Sequence, residues 1–382
     1  MLRRRTRLVV AWTAALSISL ALTAAHAADV APPANTRVLH QKCVQQAIAY
    51  LQTTGQASDG SFSAQSGPAV TALVAAAVLR NGRSPEDPLV AKSLKYLEGF
   101  VRDDGGIYSE GSGVKNYETC LAIQCFAEAN RNGRYDKLLK AADKFVRELQ
   151  WDGGEGHELS SLSYGGAGYG KSKRPDLSNT SFLIDALKAA GAKADDEALK
   201  KALVFVSRCQ NLETEHNTTP FAAKVGDGGM YYTPAAGGLS QAGKTPEGGL
   251  RSYGSMTYAG LKSMIFAGVG PDDPRVKAAY KWAQQHYDLA SNPGMGDAGL
   301  YYYYHTFAKA LDAIGEDTIV DADGNKHDWR AELVAELARR QKPNGSWVNE
   351  NARWLEGDAN LVTGYALLTL SYCRQAPKAA GR

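Results

Sequence analysis

The sequence predicts an all-α fold, an α/α toroid of six helical hairpins with an apolar inner ring and an amphipathic outer ring. Three observations carry this. Charged amphipathic segments alternate with segments that are apolar all round, the pattern of wet and enclosed helices. Gly-rich turns join them. A threonine recurs near the start of each apolar segment, as Thr71, Thr119, Thr180, Thr257, Thr306 and Thr363. Self-similarity at a spacing of roughly 50 residues marks units that cannot bury their apolar faces alone and must stack on their neighbours.

The chain opens with Arg3, Arg4, Arg5 and Arg7, an apolar run from Leu8 to Leu22, and Ala25-His26-Ala27. This reads as an export signal cleaved after residue 27, too short and too early for a stable membrane span. Residues 28–38 are expected as a disordered linker, 39–375 as one toroid and 376–382 as a disordered tail. The 43 basic and 40 acidic residues become 39 and 40 once the four signal arginines are removed. A near-neutral exported chain without a basic stripe argues against nucleic acid as partner. Its five cysteines are too scattered for a disulfide scaffold.

The outer helices come first in each pair. Val44, Ile48 and Leu51 share a face at helical spacing, as do Leu94, Leu97 and Val101. The others are residues 138–150, 197–210, 276–287 and 329–341. Turns follow at Asp59-Gly60-Ser61-Phe62, Asp104-Gly105-Gly106, Asp152-Gly153-Gly154, Asp227-Gly228-Gly229, Asp297-Ala298-Gly299 and Asn344-Gly345-Ser346-Trp347, where Gly supplies the positive φ. Each leads into an apolar inner helix, with Asn116 and Asp176 placed to cap two of them. Two loops, 151–175 and 211–249, are longer than a turn needs. Both carry tyrosines (Tyr164, Tyr169, Tyr231, Tyr232) and could cover one mouth of the ring.

If the threonines mark one layer, the residues just before them face the same mouth, where helix N-termini converge. Glu118, Asp176, His305 and Asp358 are then the candidate acids and bases. Tyr117, Ser178, Asn179, Arg251, Tyr253, Ser255, Tyr304 and Asn360 are the candidate ligand-binding groups. In Tyr301-Tyr302-Tyr303-Tyr304, consecutive positions cover all sides of a helix, so one or two rings should enter the cavity. Aromatic walls suit isoprenoid cations and sugar faces alike.

Gln341-Lys342-Pro343-Asn344-Gly345-Ser346-Trp347 carries a Gln, three residues, Gly, one residue, Trp. Gln150-Trp151-Asp152-Gly153-Gly154, and Gln52 with Asp59-Gly60-Ser61-Phe62, keep parts of that pattern. Over residues 40–373 the chain thereby resembles the prenyltransferase and squalene-cyclase repeat family. The resemblance implies a toroid whose central apolar cavity takes a polyprenyl or terpenoid ligand. Class II terpene cyclases of this family carry Asp-x-Asp-Asp-Thr at an inner-helix start. Asp176-Leu177-Ser178-Asn179-Thr180 stands there, with two of the three carboxylates replaced. Protein prenyltransferases bind zinc through Asp, Cys and His. Ser255 and Thr257 stand where the first two align, leaving His305, so neither a metal nor a cofactor is expected.

Three functions follow. One is an exported cyclase-like toroid that binds, and as an enzyme transforms, an isoprenoid. Another is a polysaccharide lyase with Tyr304 or His305 as base, and Asn179 and Arg251 neutralising a uronate. The last is a non-catalytic toroid that scaffolds a protein partner.

Overall fold

The computed structural model describes residues 34–170 and 174–374. The expected export signal, most of the linker and the tail lie outside them. The outer helices are α1 (Ala34–Tyr50), α3 (Pro88–Glu98), α5 (Asp136–Glu148), α7 (Glu197–Arg208), α9 (Pro274–Gln285) and α11 (Trp329–Arg340). The inner helices are α2 (Pro68–Arg80), α4 (Lys115–Ala129), α6 (Leu177–Ala189), α8 (Gly254–Phe266), α10 (Leu300–Ile314) and α12 (Ala359–Tyr372). Each inner helix packs on the next, and α12 returns to α2. Among the described residues no helix is long and apolar enough to cross a membrane.

Residues 34–38, expected as linker, are helical. His40 anchors α1 by a 2.8 Å hydrogen bond from Nε2 to the Leu370 carbonyl, and a helix propagates readily from an anchored turn. Aspartates start four outer helices: Asp87, Asp196, Asp273 and Asp328 each accept backbone N–H bonds in the first turn. They satisfy donors that a helix start leaves open.

The repeat is a hydrogen-bonded clamp. Gln341 Nε2 donates to the Gly345 carbonyl at 2.9 Å and, across the chain closure, to the Cys43 carbonyl of α1 at 3.0 Å. Gln150 does the same for Gly165 and Ala198, and Gln210 for Gly228 and Arg275. One amide thus fixes a turn to the next outer helix. Gly345 has φ +90°, and a Cβ there would lie 2.3 Å from the Gln46 carbonyl oxygen, so the turn demands glycine both for conformation and for close approach. The threonines complete the clamp. Thr71, Thr119, Thr180, Thr257 and Thr363 accept the backbone N–H of Phe62, Ile107, Ala167, Met230 and Trp347, at 2.9 to 3.2 Å.

Several positions differ from the sequence reading. In the first unit Gln56, and not the exposed Gln52, makes the clamp, to the Gly60 and Leu89 carbonyls. A wider helical turn at Leu51–Gly55 carries the register forward. In the third unit the turn is Tyr164-Gly165-Gly166, and Asp152 instead caps the short turn Gly153–Glu155. The long loop is inserted between clamp glutamine and clamp glycine. Asn116 lies inside α4, which starts one residue earlier. In the fifth unit Thr306 sits a turn deeper than its counterparts and bonds only its own helix, to the Tyr303 carbonyl.

Candidate functional site

The inner helices present their N-terminal turns to one mouth of the ring, where a cavity of about 690 Å³ opens. Its wall follows from helix geometry. Second and third helical positions face inward, giving Ala69 and Val70 (α2), Ser178 and Asn179 (α6), Ser255 and Met256 (α8), and Leu361 (α12). Tyr117 of α4 and Tyr302 of α10 occupy the same level. With Phe182 and Tyr365 they form an aromatic belt. Tyr117 meets Phe182 edge-on at 4.9 Å, Phe182 stacks near Tyr302 at 6.1 Å, and Tyr302 lies 5.9 Å from Tyr365. Hydroxyls lock the belt: Tyr117 to Tyr365 at 3.2 Å, Ser178 to Tyr302 at 3.0 Å. The two long loops each deliver a tyrosine to the wall, Tyr169 and Tyr232.

Glu118, on the first turn of α4, is 2 % exposed and lines the cavity. Its Oε2 has no hydrogen-bond partner. Burial pushes its carboxyl above the ordinary carboxylate range, while donors at Ser112 and Ser109 pull the other way. Burial wins, so this carboxyl holds its proton to higher pH than one in water. Gly67, at φ +69°, makes room for it, since a Cβ there would lie 2.4 Å from Glu118 Oε1.

Of the other acids and bases, Asp176 is buried behind the wall as the cap of α6. Its Oδ1 accepts the Asn179 N–H at 2.8 Å and its Oδ2 accepts Asn179 Nδ2 at 2.9 Å. Burial raises its carboxyl to about 6 against these bonds and one from the Tyr232 hydroxyl. Asp358 caps α12 through the Asn360 and Leu361 N–H groups and does not line the cavity. His305 is displaced from the mouth. It sits below the belt beside Tyr365 and Tyr372, and burial drives its imidazole well below the usual range, with Lys309 acting in the same sense.

The binding candidates divide similarly. Tyr117, Ser178, Asn179, Tyr253 and Ser255 line the cavity. Tyr304 points outward, its hydroxyl donating to the Leu289 carbonyl at 2.5 Å. Arg251 is exposed and donates to the Lys244 carbonyl. Asn360 serves ring closure through the Gly55 carbonyl and Ser63. The slip of Thr306 explains two of these corrections: counting back from it selects Tyr304 and His305, whereas the position level with Tyr117 is Tyr302.

Sequence reasoning missed Glu356, a second carboxyl on the cavity wall, 1 % exposed. Its Oε1 accepts the Tyr302 N–H at 2.8 Å and its Oε2 accepts Asn349 Nδ2 at 2.6 Å. It caps α10 from a separate segment. A local pattern does not reveal a cap that comes from 54 residues away. Among the described residues no three His, Cys, Asp or Glu side chains converge as a metal site.

Residues 44–232 match the family model of the squalene-hopene cyclase C-terminal domain. The solved structure of a protein from Actinoplanes is similar with a TM-score of 0.50 at 16% identity, covering 87% of this chain and 99% of that one. The type II terpene cyclase MstE from Scytonema is similar with a TM-score of 0.50 at 14% identity, covering 87% and 97%. At these identities the likeness to the solved structures is one of fold. No protein of curated function matches the chain.

Proposed function

We propose, from the match of residues 44–232 to the squalene-hopene cyclase C-terminal domain, that this is an exported protein of the terpenoid-cyclase-like kind that binds a polyprenyl or terpenoid ligand in its central cavity and transforms it by proton-initiated chemistry. The observation that carries this is a buried carboxyl, Glu118, with one oxygen, Oε2, left without a hydrogen-bond partner on a cavity walled by an aromatic belt. Glu118 gives its proton to an alkene carbon. The cation that forms is held by the negative faces of Tyr117, Phe182, Tyr302 and Tyr365, and a carbon-bound proton returns to the carboxylate as the new double bond forms. The reaction is an isomerisation and needs no cofactor.

Water must be excluded from such a cation, and the wall supports that. Ala69, Val70, Met256 and Leu361 offer no nucleophile, and the Tyr117, Tyr302 and Ser178 hydroxyls are engaged with one another or with Tyr365. The lyase reading loses its machinery. Arg251 is at the surface, Tyr304 faces the outer layer, His305 lies under the belt, and only Asn179 of the four reaches the cavity.

Thermal unfolding of the mature protein against two panels, polyprenyl or terpenoid lipids and uronate oligosaccharides, tests the reading. A ligand at a hundred times its Kd stabilises by about 2.7 kcal/mol. The expected result is an upward Tm shift with the lipids alone. A shift with uronates alone would return the lyase, and no shift with either would leave the toroid as a scaffold.

A further inference from the structure

Beneath the aromatic belt, buried ion pairs join three successive inner helices. Asp185 of α6 binds Lys262 of α8 at 2.6 Å through Oδ1 and Lys309 of α10 at 2.7 Å through Oδ2. The three side chains are only 5, 2 and 7 % exposed. Lys262 also donates to the Ser181 carbonyl at 3.1 Å. On the other side Arg80 of α2 donates to the Tyr372 hydroxyl of α12 at 2.6 Å. Asp185 lies one helical turn past Phe182, and Lys262 and Lys309 lie two turns past Ser255 and Tyr302. Those three neighbours line the cavity, and none of the three ions does.

We infer that the cavity takes a prenyl chain of about three to four isoprene units, and that the Asp185, Lys262 and Lys309 triad under Phe182 and Tyr302 is the stop that denies it a longer one. The inference rests on the isoprenoid reading above. At the ~30 Å³ that one water-sized group occupies in a condensed phase, 690 Å³ holds roughly 20 to 25 non-hydrogen atoms. A six-unit chain exceeds this. To extend downward, a hydrocarbon must part Asp185 from its lysines while offering neither charge a hydrogen bond, and a parted buried pair is strongly unfavourable. To extend upward, it leaves through the mouth into water, where added carbons contribute nothing to binding.

The test is a series of prenyl alcohols of two to six isoprene units, with Kd read by intrinsic fluorescence or calorimetry on the mature protein. Affinity is expected to rise at least about tenfold per unit up to four units, as buried methylenes add up, and to change less than about threefold beyond. Continued tightening to six units would overturn the length limit. Failure of the whole series to bind would instead overturn the isoprenoid reading. The stop itself is tested by Lys309→Met, which leaves Asp185 and Lys262 as a balanced pair. Five- and six-unit chains should then bind at least about tenfold tighter than they do to the parent. Unchanged Kd values in that variant would place the stop elsewhere.

Discussion

Glu118→Gln is expected to lower turnover of the proposed polyprenyl substrate by about 10²- to 10⁴-fold, the span of a positioned general acid, while Kd changes little. Gln keeps the size and polarity of the side chain but has no proton of carboxylic acidity to give. Oε2 has no hydrogen-bond partner to lose, so the thermal midpoint should move by no more than a few degrees. Steady-state kinetics with gas chromatography of the products checks the first part and a thermal melt the second. The matching His305→Ala variant is expected to retain turnover, because His305 lies beneath the belt and not on the cavity. Parent-level activity in Glu118→Gln would remove Glu118 from the chemistry.

The largest stability effect is expected at Asp185. Asp185→Asn leaves Lys262 and Lys309 buried together without a counter-charge, and breaking a buried ion set by removing one partner costs about 3 to 5 kcal/mol. The tension is already visible in the intact protein, where burial lowers Lys262 to about 8 despite the carboxylate beside it. Urea unfolding should show the loss as a lower midpoint with unchanged slope. Replacing the whole set, as D185L with K262M and K309M, should cost far less, since an apolar set of similar volume needs no compensation. A loss under about 1 kcal/mol in Asp185→Asn would mean that water reaches the lysines.

Much of the ring was legible because its devices are local. Asp-Gly and Asn-Gly turns, amphipathic outer helices and apolar inner helices each follow from residues adjacent in the chain. The position of Glu118 on the cavity wall was legible too, since a glutamate at the start of an otherwise apolar inner helix has few places to go but the cavity. The fifth unit shows where such reading stops. Thr306 looked like the fifth of six repeat marks, yet it sits a turn deeper than the others. Successive helical residues turn by about 100°, so choosing Tyr304 over Tyr302 pointed the site at the outer layer. Glu356 and the clamp glutamine Gln56 were hidden for another reason. One caps a helix from about fifty residues away, the other depends on a wide turn that shifts the register, and neither leaves a pattern in its own neighbourhood.

The central claim is that an isoprenoid occupies the belt-lined cavity, and a photoreactive prenyl alcohol of four isoprene units tests it most directly. After irradiation of the protein and peptide mass spectrometry, adducts are expected on the segments carrying Tyr117, Phe182, Tyr302 and Tyr365, and are competed away by the unlabelled alcohol. Adducts confined to the outer helices, or equal labelling with and without competitor, would contradict it.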